Sequence, residues 1–295
     1  MKELGQGATY LLFRFVLALA RVASRIPGIR GVLALFISNV LGYRKKVVTS
    51  NLKLAFPQAS ENEIQVLRGK FYSYFSGLFL EHFQGKDKDK NEWKRLVLFP
   101  ENNLLEQYAL AGKTCFVLMG HTGNWEWAGL RASFVEGLKM ATVYKPQRNR
   151  RITDFLGRQR SKFGMLQVPM NEVARFVITT KEPYALTFLA DQSGPQSSPF
   201  YPDFFGQHTS FFGGWASLAT KYRIPILYAG VHSCPSPHMY RVDFKCMWDG
   251  STEVEPQALV QDFARMLEAD ICQHPSEWLW SHKRWKWIKP KKTQD

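Results

Sequence analysis

Cysteine is scarce in this chain, with four residues in 295, at positions 115, 234, 246 and 272. Their spacing fits neither a metal cluster nor a redox pair, so no disulfide framework is indicated and the thiols are expected to serve as small core residues in a reducing compartment. Acidic residues are also few: 25 Asp and Glu stand against 39 Lys and Arg, for a formal charge of +14. Such an excess calls for an anionic partner, and three kinds fit: nucleic acid, anionic lipid with phosphorylated sugars, or an acidic carrier protein. No nucleic-acid motif is present, and an aromatic content of 14% with nine Trp favours a membrane interface, so no nucleic-acid partner is expected. Also missing is any apolar run near the ~20 residues of a single membrane span. Tyr10 to Ala20 is broken by Arg14, and Ile29 to Tyr43 ends in Arg44-Lys45-Lys46. No small-residue cleavage site follows the first run, which argues against a cleavable signal. The two runs read as helices lying in or dipping into a membrane face with cations at the phosphates, the alternative being two core helices of a soluble domain. Nothing in mid-chain resembles a flexible linker, so one main domain, residues 51–295, is expected after a membrane-associating helical segment at residues 1–50.

What the chain does contain is Gly120-His121-Thr122-Gly123-Asn124-Trp125-Glu126, delivered by the apolar run Thr114 to Met119. Five residues along a continuous helix rotate a side chain about 140° past a full turn, so His121 and Glu126 cannot share a helix face. The His therefore belongs in a turn, with Asn124 as N-cap of a following helix and Glu126 in its first turn. There the carboxylate can fold back onto the imidazole, fix its tautomer and stabilise the imidazolium of a general base. The plain alternative is a strand-to-helix turn whose His caps backbone groups.

From Thr114 onward strand and helix patterns alternate. Strands are expected at Thr114–Met119, Met140–Tyr144, Leu166–Pro169, Tyr184–Ala190, Ile224–Val231 and Tyr240–Met247; helices at Trp125–Glu136, Ile152–Lys162, Glu172–Thr180, Phe211–Tyr222 and Gln257–Gln273. The pattern implies an α/β layered domain with a mixed central sheet flanked by helices, the last two strands free to pair antiparallel, and its motifs at strand ends. Ser60-Glu61-Asn62-Glu63 is a capping box opening an amphipathic helix through Ile64, Leu67, Phe71 and Phe75. Lys86 to Lys90, alternating with Asp, reads as a solvated loop.

Asn124-Trp125-Glu126 after Gly120-His121, then Val143-Tyr144-Lys145-Pro146, Gly157-Arg158-Gln159-Arg160, Asp191-Gln192, Asp203-Phe204-Phe205-Gly206 and Trp280-Ser281-His282-Lys283-Arg284-Trp285-Lys286 together resemble the bacterial lipid A biosynthesis (lauroyl/myristoyl) acyltransferases over almost the entire chain. Two departures stand out: Tyr144-Lys145-Pro146 for the family's Tyr-Arg-Pro, and Ser276-Glu277-Trp278-Leu279-Trp280 for its Glu-Gln-Tyr-Leu-Trp. Both keep the character of the site and leave the acceptor open. The resemblance implies a transferase at the cytoplasmic face of the bacterial inner membrane. It would move a fatty acyl chain from a thioester, usually of acyl carrier protein, to a hydroxyl on a membrane glycolipid.

On this reading His121 is the base and Glu126 its orienter, and no metal or cofactor is required. The tetrahedral oxyanion needs a donor. Arg158 and Arg160 stand about 200° apart on their helix, so one reaches the site while the other meets a phosphate or solvent; Arg158 is assigned to the oxyanion and Arg160 to substrate, with backbone N–H groups of the Asn124 helix as helpers. Tyr144, Lys145, Asp191 and Gln192 are expected around the substrate. Arg284, in a tail alternating cations with indoles, is expected on a headgroup phosphate. Phe204, Phe205, Phe211 and Phe212 are read as an apolar wall or plain core, not as sites. The rivals are acyl transfer to another lipid (a lysophospholipid, aminolipid or other glycolipid) and a non-catalytic basic protein binding membrane or nucleic acid.

Overall fold

The computed structural model describes residue 26 and residues 28–84, 88–146, 149–236 and 238–290. The first apolar run, Tyr10 to Ala20, lies outside them. In chain order the elements are α1 (Ile29–Leu35, continued by a π-helical turn Phe36–Val40), α2 (Lys45–Ala55), α3 (Glu61–Gln84), α4 (Lys90–Leu96), β1 (Val97–Leu98), α5 (Leu104–Leu110), β2 (Cys115–Met119) and α6 (Trp125–Ala132). There follow β3 (Lys139–Tyr144), α7 (Arg150–Arg160), β4 (Leu166–Pro169), α8 (Val173–Thr179), β5 (Tyr184–Leu189), β6 (Asp203–Phe204), β7 (Gln207–His208), α9 (Gly214–Tyr222), β8 (Ile226–Ser233), β9 (Tyr240–Trp248) and α10 (Pro256–Gln273).

Among the described residues seven strands form one mixed sheet in the order β1-β9-β8-β2-β5-β3-β4. The five from β8 to β4 run parallel, and β9 is antiparallel to β8, as the sequence pattern allows. Every residue of β2 is buried, which is why this central strand reads as an unbroken apolar run. Its side chains alternate between two cores. Phe116 and Leu118 pack with Leu259, Phe263 and Leu267 of α10 on one face, while Cys115, Val117 and Met119 pack with Trp93 and Trp127 of α4 and α6 on the other. Helices thus cover both faces, and α10 begins with Pro256 at its first turn, where the missing N–H costs nothing.

Ser60 and Glu63 form the expected reciprocal cap: the Ser60 N–H donates to Glu63 at 2.7 Å and the Glu63 N–H to the Ser60 hydroxyl at 3.3 Å. The run read as a solvated loop contains a second capping box, since the Asp89 side chain accepts from Asn91 and Glu92 N–H and opens α4. The helix expected from Phe211 starts at Gly214, because Phe211 pairs in a bridge with Ser193 and is fully buried. Only Cys115 of the four thiols is a core residue, its pKa pushed up to about 12 by burial; Cys246 and Cys272 are exposed, contrary to the core role expected of them.

α1 lies on α3 through Arg30, whose Nε donates to the Ser73 carbonyl at 2.9 Å. Val32, Leu35, Phe36, Val40 and Leu41 remain exposed, Val40 at 70%. Among the described residues no helix is long and apolar enough to cross a membrane. α2 is tied to the C-terminal segment: Asn51 Nδ2 donates to the carbonyls of Trp280 at 2.8 Å and His282 at 2.7 Å, and Arg44 Nη1 to that of Ser281 at 2.8 Å.

Candidate active site

The parallel strands β2, β5 and β3 end on the same side of the sheet, where open α/β sheets place their sites. Leaving β2, the chain must pass under α10 and against the end of β8. A Cβ at Gly120 would lie 2.5 Å from Leu267, and one at Gly123, where φ is +55°, would lie 2.5 Å from Val231. Glycine at both positions lets the turn sit this close and sets His121 at its crest. Asn124 then caps α6 by accepting the Trp127 N–H at 3.1 Å, while its own amide donates to Glu81 at 2.9 Å. Glu81 is buried and also accepts from the Tyr240 hydroxyl at 2.6 Å and sits 2.8 Å from His238 Nδ1. This buried carboxylate anchors the start of α6 from behind.

The carboxylate on the His121 ring is Asp191, at the end of β5, and not Glu126. Asp191 Oδ1 lies 2.5 Å from His121 Nδ1, and Oδ2 accepts the His121 backbone N–H at 2.9 Å and the Trp278 indole N–H at 2.8 Å. The group is 2% exposed. Burial alone would raise its pKa, but the imidazole charge and the hydrogen bonds from His121 and Trp278 outweigh burial and hold it down to about 2. Asp191 therefore lies beneath the imidazole and does not line the substrate space. Gln192, next in the chain, brings its side-chain nitrogen to 3.4 Å from His121 Nε2, and the Trp125 ring meets the imidazole edge to face with centroids 4.9 Å apart.

Glu126 takes a different partner. Arg160 Nε and Nη2 donate to its two carboxylate oxygens at 3.0 and 2.5 Å, a bidentate fork between α7 and α6. Burial would lower the Arg160 pKa, but the Glu126 bonds raise it above its usual value. Arg158, assigned to the oxyanion from sequence, is exposed and absent from the cavity wall; the helix turns Arg160 inward instead. Arg284 departs further from expectation. It is fully buried, its Nη1 donates to the Ser210 carbonyl at 2.9 Å, and its guanidinium stands 3.7 Å from the Phe211 ring centroid and 5.2 Å from that of Phe204. Burial lowers its pKa to about 9. Packed between these rings, it holds the tail to the core and is closed to a headgroup phosphate, and Phe204 and Phe211 are core.

A cavity of about 800 Å³ opens at these strand ends. His121, Glu126, Tyr144, Lys145, Arg160 and Gln192 line its polar part; Met119, Leu130, Met165, Val173, Phe188 and Leu218 line the apolar remainder. A hydroxyl and an apolar chain can therefore meet at His121 Nε2, the ring nitrogen turned away from Asp191, where an incoming hydroxyl replaces the Gln192 side-chain nitrogen at 3.4 Å. His282 also reaches the wall; burial pushes its pKa down to about 4. The residues missed from sequence are Trp278 and Glu81. Trp278 lies inside a motif the sequence singles out, whereas Glu81 sits in an amphipathic helix with no local signal.

Set beside known protein families, the chain matches the model described as bacterial lipid A biosynthesis acyltransferase over residues 7–287. Among curated proteins none matches it significantly.

Proposed function

The chain belongs to the bacterial lipid A biosynthesis acyltransferase family, and from that premise we propose that this acyltransferase moves a fatty acyl chain from a thioester of acyl carrier protein to a hydroxyl of a lipid A precursor, with His121 as the base. The observation that carries the reading is the His121–Asp191 pair at the mouth of a half-apolar cavity. Asp191 keeps the proton on Nδ1, so Nε2 presents its lone pair to the incoming hydroxyl. As that oxygen attacks the thioester carbonyl, Nε2 takes its proton and Asp191 stabilises the imidazolium. The tetrahedral oxyanion is met by the Gln192 amide, by the Arg160 Nη1 that Glu126 does not use, and by N–H groups of the first turn of α6, which have no intrahelical acceptor. Collapse breaks the carbon–sulfur bond, and the imidazolium returns its proton to the leaving sulfur. In this scheme Glu126 holds Arg160 at the mouth, and Tyr144 and Lys145 receive the polar end of the acceptor. The apolar wall takes the acyl chain, and no metal enters the chemistry.

The exposed Val32, Leu35, Phe36, Val40 and Leu41, followed by Arg44, Lys45 and Lys46, support docking of residues 1–50 on the cytoplasmic face of the inner membrane, with residues 51–295 as the transferase domain. The net charge of +14 supports an acidic carrier protein as donor. The test is incubation with lauroyl or myristoyl carrier-protein thioesters and an under-acylated lipid A precursor, read by mass spectrometry. A one-acyl mass gain that requires His121 is expected. Thioester consumption with no gain on that precursor, but with gain on another hydroxylated lipid, would overturn the acceptor.

A further inference from the structure

Away from the cavity wall, the end of β8 and the turn after α10 bring two imidazoles and a carboxylate together. His232 and His274 stack with ring centroids 4.5 Å apart and planes 30° apart. One donor atom from each, and one from Glu277, lies within 4.8 Å of the other two. We infer that His232, His274 and Glu277 form a binding site for a divalent first-row transition-metal ion, zinc by the chemistry of the donors.

His232 and Glu277 have neighbours that hold them near one another. His232 turns Nε2 toward Asp270 Oδ2 at 3.8 Å, while its Nδ1 is buried with no hydrogen-bond partner. A buried ring nitrogen without a partner is costly, and a cation on Nδ1 accounts for it. At 3.8 Å the Asp270 carboxylate, which accepts the Tyr228 hydroxyl, stands a few tenths of an ångström short of the outer hydrogen bond that metal-bound imidazoles favour at the opposite nitrogen. Glu277 is 7% exposed and is fixed by Ser233, whose N–H donates to Oε2 at 2.9 Å and whose hydroxyl donates to Oε1. Each oxygen keeps a second lone pair for a metal. His274 Nδ1 stands 4.0 Å from Glu277 Oε1, and its ring, partly exposed, gives the ion a way in. Zinc bonds of ~2.0–2.2 Å in a tetrahedron require donor atoms roughly 3.5 Å apart, so small side-chain adjustments complete the set. Two His and one Glu leave a fourth position for water.

The ion's place in the fold is structural. It joins the end of β8 to the turn that carries Trp278, whose indole holds Asp191 and whose backbone pairs with Thr122 beside His121. It touches no reacting atom and is additional to the metal-free chemistry proposed above.

The full chain without a polyhistidine tag, stripped with EDTA, is titrated with zinc chloride by calorimetry and with cobalt chloride by visible absorption. One zinc per chain is expected, along with the d–d bands of four-coordinate cobalt. The thermal midpoint should rise by about 5 °C at a hundredfold excess over Kd. Glu277→Gln, which can keep its bonds to Ser233, and His274→Ala should each weaken zinc binding at least tenfold, with metal-free melts close to that of the parent. Absence of stoichiometric binding, or parental affinity in both variants, overturns the site.

Discussion

Replacing Asp191 by Asn isolates what the carboxylate does for His121, because the structure dictates how the amide must lie. Oδ2 accepts two N–H donors, from the His121 backbone and the Trp278 indole. Turning an NH2 group toward both would leave two buried donors unsatisfied, at about 1–3 kcal/mol each. The amide oxygen therefore takes the Oδ2 place and its nitrogen faces His121 Nδ1. That nitrogen is a donor, so Nδ1 must accept and the ring proton moves to Nε2, the position from which the base has to act. The fold should survive with a loss of about 1–3 kcal/mol, while kcat should fall by ~10²- to 10⁴-fold. Glu126→Gln, which weakens the Arg160 fork and leaves the ring's tautomer alone, should lower kcat far less and raise KM. Steady-state thioester consumption on both variants, with thermal melts to verify folding, decides the matter. Asn at 191 retaining activity within threefold, beside a hundredfold loss for Gln at 126, would refute the dyad and restore Glu126 as the orienter.

Glu81→Ala should strand the buried amide of Asn124 and the hydroxyl of Tyr240, costing about 2–4 kcal/mol in denaturant melts, with activity falling in step as the cap of α6 loosens. Burial holds the His282 pKa down to about 4 in the folded chain, against the ordinary imidazole value of about 6.5: between these values the unfolded chain binds more protons, so stability falls as pH drops from about 6.5 toward 4. His282→Gln should flatten that part of a pH–stability curve, and an unchanged slope would contradict its burial as a neutral ring. On the outer face of α1 and its π-helical turn, Val40→Glu with Leu41→Glu should cut sedimentation with anionic lipid vesicles severalfold; undiminished binding would move the membrane contact elsewhere.

Much of the sheet was legible because its strands are short runs dominated by apolar residues, unbroken in β2 and interrupted by single polar residues in β3, β4 and β5: Leu166–Pro169 coincides with the structure, and β2, β3 and β5 differ by one residue at an end. The boundaries that slipped have local causes. The helix from Trp125 stops at Ala132, four residues early, because the chain turns at Ser133 and passes Gly137, whose φ is +92°. Two residues of β1 carry no periodicity to find, and they pair with β9 across more than a hundred residues of sequence. α4 was findable, since Asp89 and Glu92 have capping-box spacing, but alternating charges concealed it. In the site, His121 and its turn were legible from glycines and an N-cap. Its carboxylate was not: the acid nearest in sequence is Glu126, five residues on, whereas adjacency of β2 and β5 brings Asp191 from seventy residues away. Arg158 and Arg160 differ only in which helix face meets α6, and the charge of Arg284 suggests a phosphate partner whereas its burial against two phenylalanine rings decides its role.

The proposed chemistry makes His121, oriented by Asp191, the base for acyl transfer to a lipid hydroxyl. Its most direct test is a single-turnover reaction of the parent, His121→Ala and Asp191→Asn chains with a lauroyl carrier-protein thioester and an under-acylated lipid A precursor, followed by mass spectrometry of the lipid. A one-acyl mass gain is expected for the parent alone on the timescale of its turnover, because both variants lack the oriented base. Equal gain in all three chains would contradict it.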